Sequence, residues 1–123
     1  MTGASRWAGR ACFAAFLLAL TGCAATPKPL YQWGTYQRQV YESMKGDGTS
    51  PTDQLGALMA QAEKARANQE SLPPGFRAHV GLVQLRLGQD GEARSMFEAE
   101  KVAFPEATTF MDFLLKRMTE KKS

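Results

Sequence analysis

Three observations predict an all-α fold. Apolar residues recur at helical spacing in five separate segments between Trp33 and Thr119. The breaks between those segments carry helix-boundary residues: Gly46, Ser50-Pro51, "LPPG" at residues 72–75, Gly88 and Pro105. No stretch alternates apolar and polar residues over the length of a strand. The 123 residues hold one hydrophobic core and have no room for a second. Short turns between the segments make neighbouring helices antiparallel, so the architecture is a set of helix hairpins.

The first segment, about residues 33–45, spaces Trp33, Tyr36, Val40 and Met44 near the helical period and ends where Gly46 takes a left-handed cap. The second opens on a clear signal. Ser50 is an N-cap residue, Pro51 occupies the first helical position, and Asp53 suits the positive helix end. Its expected apolar stripe is Leu55, Leu58, Met59, Ala62 and Ala65. The third, about residues 76–87, carries Ala78, Val80, Leu82, Val83, Leu85 and Leu87 on nearly every side, which predicts a central helix between neighbours. The fourth, about residues 92–103, presents Ala93, Met96 and Phe97 and stops at Pro105. The fifth, about residues 109–119, presents Phe110, Phe113, Leu114 and Met118, with Lys116 and Arg117 near its negative end. The tail "EKKS", residues 120–123, reads as disordered.

The N-terminus has three zones. Residues 1–10 carry Arg6 and Arg10 and no acid; Ala11–Leu20 is apolar; Leu20-Thr21-Gly22-Cys23 follows. About ten apolar residues are too few to span a bilayer and suit the core of a signal peptide. Leu-Thr-Gly-Cys resembles the lipobox of bacterial lipoproteins. That resemblance implies cleavage between Gly22 and Cys23, diacylglycerol on the Cys23 thiol and an N-acyl chain on its amine, with no other cofactor. Ala24 stands where an aspartate would resemble an inner-membrane retention signal, so the outer membrane, on its periplasmic face, is the expected location. The organisation is then a signal peptide over 1–22, an acylated tether over 23–30, a helical domain over 31–119 and the tail.

Processing changes the chemistry on offer. Cys12 leaves with the signal and Cys23 carries lipid, so disulfide, zinc-thiolate and thiol-catalysis readings fall away. The formal charge of +3 drops to +1 once Arg6 and Arg10 are lost, because thirteen basic residues then face twelve acidic ones. Nucleic-acid binding has no basic face to rest on.

Residues 74–107 resemble one tetratricopeptide repeat. The repeat's two glycine places, its small-residue place, its aromatic place and its proline place hold Gly81, Gly88, Ala93, Phe97 and Pro105. Gly81 allows a close helix crossing, Gly88 permits the turn, Ala93 sits at the crossing and Phe97 fills the gap. Arg77, Gln84 and Glu100 depart from the pattern, standing where Trp, Tyr and a small residue are usual. The lipobox together with "YQWGTY", "PPGFRAHVG", "EKVAFPE" and "FMDFLLK" is similar to a family of small bacterial lipoproteins of the domain-of-unknown-function 4810 type, described as tetratricopeptide-like. That resemblance implies an envelope lipoprotein, often encoded beside lipoproteins related to the curli secretion pore. It supplies no catalytic residue.

Candidate sites are few. His79 is the lone histidine, with Val83 and Gln84 as its helical neighbours and neither a nucleophile nor an orienting partner evident. Glu100 falls on the apolar stripe of the fourth helix and needs a cationic or hydrogen-bonding partner, for which Arg77, His79 or a base on the last helix could serve. No metal site is expected. In repeats of this kind partner peptides lie in a groove that corresponds here to Gly75, Ala78, Leu82, Leu85 and Arg86. It would accept an apolar helix or strand, unless the protein's own first helix fills it. Trp33 and Tyr36 are expected to anchor that helix, leaving Tyr31 freest. The functional expectation is a non-enzymatic adaptor that docks another envelope protein or lipoprotein, with no small-molecule substrate. The alternatives are a pilotin-like chaperone for an outer-membrane pore subunit and, in a different class, an enzyme acting on the cell wall.

Overall fold

The computed structural model describes residues 26–46 and 49–121, so Gly22, Cys23 and the whole leader lie outside the described residues. Among the described residues five α-helices form: α1 Tyr36–Lys45, α2 Pro51–Ala67, α3 Phe76–Arg86, α4 Asp90–Ala103 and α5 Thr108–Glu120. A 3-10 turn, Pro105–Ala107, joins the last two. Among the described residues there is no strand, only an isolated parallel bridge between Tyr31 and Ser71, closed by Gln32 N–H donating to Ser71 O at 2.7 Å. The fold is all-α, as the periodicity predicts.

Helix α1 begins at Tyr36 and not at Trp33. Gly34 holds φ at +44°, and Tyr36 N–H closes a turn onto Trp33 O at 3.0 Å, so residues 33–35 bend. Its end is as expected: Gly46 takes φ 72° and its N–H returns to Glu42 O. The opening of α2 follows the sequence signal. Ser50 Oγ accepts the Asp53 N–H at 3.1 Å and donates to Asp53 Oδ2 at 2.8 Å, behind Pro51 at the first turn. The helix stops at Ala67, ahead of the expected breaker, because Gln69 turns left-handed (φ 55°) and Glu70 N–H reaches back to Ala65 O at 2.8 Å. Helix α5 runs one residue past its expected end, taking Glu120 out of the anticipated tail.

Two buried clusters meet on α3, whose many-sided apolarity puts it at the centre. On one side Leu58, Phe76, Val80 and Val83 are buried, with Tyr36, Leu55, Ala62 and Met96 packed around them. On the other, Ala78 joins Ala93 and Phe97 of α4 and Met111, Leu115 and Met118 of α5. The α3–α4 crossing is close. A β-carbon on Gly81 would stand 2.6 Å from Phe97 Cε1, so only glycine admits the ring there. Gly88 turns the chain at φ 72°. Lys101 then ties α4 to α5, its ammonium 2.6 Å from Asp112 Oδ1 and 3.2 Å from Glu98 Oε2.

Candidate functional site

A cluster of polar groups gathers at the N-terminus of α3. Gly75 precedes the helix at φ 83°, and its N–H donates to Glu100 Oε1 at 2.5 Å. Glu100 on α4 is buried and finds the hydrogen-bonding partner it needs, but in a backbone amide and not in Arg77, His79 or a base on the last helix. The reason is physical. A helix start presents unsatisfied N–H groups and a partial positive charge, which together replace a cation. Arg77 instead lines a surface groove with Tyr31, Leu72 and Phe104. The second carboxylate oxygen, Oε2, is buried with no hydrogen-bond partner among the described residues.

Tyr36 closes this corner. Its hydroxyl lies 3.0 Å from where a Gly75 β-carbon would be, and its ring packs on Phe76 at 5.3 Å and His79 at 6.0 Å. Burial, and then the nearby Glu100 charge, raise its phenol above the ordinary value, so it stays protonated at physiological pH. His79 is half-buried; burial, and then the Arg86 charge, push its imidazole below the ordinary value. Its Nε2 is buried and unpartnered among the described residues. The imidazole is neutral at pH 7, and among the described residues no hydrogen bond links it to a hydroxyl or carboxylate that would complete a proton-transfer set.

The anticipated groove is only partly open. Ala78 is buried under α4 and α5, because the side of α3 that carries it is the side on which those helices stack. Leu85 is half-covered by the same cluster, whereas Leu82 and Arg86 are exposed. The closed part is therefore covered by α4 and α5 at Ala78 and by Tyr36 of the first helix at Gly75. Of the anticipated residues, Leu85 lines an open groove of about 600 Å³ with an apolar floor of Leu85, Leu114 and Met118, bordered by Asp90, Arg117, Glu120 and Lys121.

The first helix is held by residues that hydrophobic periodicity passes over. Gln61 of α2 is buried; its Oε1 accepts Thr35 N–H at 3.0 Å and Thr35 Oγ1–H at 3.2 Å. Its Nε2 donates to Trp33 O at 2.8 Å and Gln32 O at 3.1 Å. Tyr36 enters the core edge as expected. Trp33 only stacks on it from outside, at 6.3 Å, and Tyr31 is not free but meets Phe104 at 6.0 Å and Trp33 at 6.4 Å. Among the described residues no group of His, Cys, Asp and Glu stands together as metal ligands would.

Residues 30–114 match the family described as "Domain of unknown function (DUF4810)", starting beside Tyr31 and ending within α5. The chain belongs to the DUF4810 family. The match takes in Tyr31, Gln61, Gly75 and Glu100, so these contacts belong to the DUF4810 region itself; Cys23 lies before it, and Arg117, Met118 and Lys121 of the groove lie after it. No match was found among curated proteins or solved structures.

Proposed function

We propose that this chain is an acylated lipoprotein of a bacterial envelope, anchored through Cys23 at the periplasmic face of the outer membrane, and that its tetratricopeptide-like domain docks a second envelope protein. The observation that carries the reading is the open groove floored by Leu85, Leu114 and Met118, formed where α5 stacks on the Gly81–Phe97 hairpin. A shallow apolar floor with charges of both signs at its edge suits a helix or strand of a partner better than a small reactive substrate. A lipoprotein related to the curli secretion pore is the partner class that the family resemblance suggests. The polar corner at Gly75 supports the same reading: Glu100 and Tyr36 are engaged in holding α1, α3 and α4 together.

Deletion in the native host, followed by comparison of the outer-membrane proteome, separates the two binding roles. An intact proteome, with one envelope protein co-purifying with the full chain, supports the adaptor. Selective loss of one outer-membrane subunit supports the pilotin-like alternative, whose grip would use the same apolar floor. The anchor is tested by Cys23→Ser, which is expected to leave unacylated, unprocessed precursor; normal processing and membrane retention of that variant would remove it.

A further inference from the structure

Helix α5 buries Met111, Leu115 and Met118 and turns a different stripe outward. Phe110 and Phe113 remain 56% and 52% exposed, stacked on each other at 6.4 Å with their planes 15° apart. The Arg117 guanidinium lies over the Phe113 ring at 5.7 Å. Lys116 and Lys121 are exposed on the same last two turns. Of the two acids on this helix, Asp112 is turned to Lys101, and Glu120 lies 3.9 Å from Lys116. The outward face is thus two aromatic rings followed by a cationic end, the pattern of a helix that lies in the interface of an anionic bilayer.

The tether brings that face to the membrane. Tyr31 is fixed by the Gln32–Ser71 bond and by its contact with Phe104, the residue that ends α4 and leads through the 3-10 turn into α5. Seven residues separate Cys23 from Tyr31, eight Cα-to-Cα steps with a reach of at most about 28 Å. Phe110 and Phe113 lie only about 3 and 8 Å along the helix axis from its start. A domain held this closely meets the bilayer at high effective concentration, so a small face suffices.

We infer that the Phe110–Phe113–Arg117 face of α5, with Lys116 and Lys121, docks on the anionic phospholipid surface that carries the anchor and orients the domain. This rests on the proposed acylation of Cys23. Arg117 and Lys121 also border the Leu85–Leu114–Met118 groove, so the docked face meets its rim and leaves its apolar floor to the protein partner.

The test uses the full acylated chain in vesicles of phosphatidylethanolamine and phosphatidylglycerol. A nitrobenzoxadiazole probe is placed at Phe113→Cys or, as a control, at Met44→Cys on α1; acylated Cys23 offers no competing thiol. Headgroup-region spin-labelled lipid is expected to quench the probe at 113 and spare the one at 44. Lys121→Glu should lower the docked-to-undocked ratio roughly fivefold or more, and phosphatidylcholine vesicles should do likewise. An unquenched 113 probe on a chain that mass spectrometry shows to be acylated overturns the inference and leaves the anchor standing. Protein crosslinks from position 113 in intact cells, without quenching, would assign the face to a protein instead. An unmodified Cys23 mass overturns both readings.

Discussion

Phe97 lies so close to Gly81 that a β-carbon on the glycine would stand 2.6 Å from the ring's Cε1 and 3.0 Å from its Cδ1. Both residues are buried, so neither can move aside into solvent. Helix propensity alone favours alanine over glycine by about 1 kcal/mol. The clash with a packed ring costs about 1–3 kcal/mol, and the clash wins. Gly81→Ala is expected to lower the melting temperature by several degrees, since each kcal/mol is worth roughly 4–8 °C in a domain of this size. Gly56→Ala on α2, where nothing lies within 4 Å, is expected to raise it. Thermal unfolding of both variants, and of Gly81→Ala with Phe97→Leu, checks the assignment: the double variant should lose less than the sum of its parts.

Gln61 is the clamp on the N-terminal segment. Gln61→Ala removes its four hydrogen bonds to Thr35, Trp33 and Gln32, at an expected cost of about 1–3 kcal/mol because water can reach the freed groups. Trp33 fluorescence anisotropy reads the effect locally and should fall before global unfolding begins.

Glu100 works as an acceptor. Glu100→Ala leaves the Gly75 N–H without its partner in a buried corner and opens a cavity, for a loss of about 2–4 kcal/mol. Glu100→Gln retains the acceptor oxygen and should cost clearly less. Denaturant unfolding that ranks the two variants equal would show that the bond to Gly75 contributes nothing.

His79 makes stability fall at acid pH. In the unfolded chain the imidazole takes up its proton near 6.5, whereas burial and then Arg86 hold the folded value lower. Unfolding therefore binds a proton in that window, and the native state loses stability as pH drops below about 6.5. Above it, protonation is the same in both states. The stability difference between the wild-type chain and His79→Gln should be flat above pH 7 and shift in favour of the variant below 6.5.

Much of this was legible in the residues. Capping chemistry at Ser50-Pro51-Asp53 is local, so α2 begins where it should; Gly81, Gly88, Ala93 and Phe97 fix the α3–α4 hairpin because each answers to one steric demand. The interior of α2 was not legible. Its buried positions are Gln54, Leu58, Gln61 and Ala65, a helical stripe half made of amides. Gln61 stands between Leu58 and Ala65 on that stripe but carries no apolar signal, so hydrophobic periodicity passes over it. Its partners lie 26–29 residues away, beyond the reach of any local pattern. The Glu100 partner escaped for a related reason: a backbone amide is not written in the side-chain sequence.

The adaptor reading meets its most direct test in intact cells, with a photoreactive residue at exposed Leu82 or at Leu114 on the floor of the groove. A single envelope protein crosslinked from these positions, and not from Met59 on α2, is the predicted result. Equal, non-selective crosslinking from all three positions, or none from the groove, would contradict it.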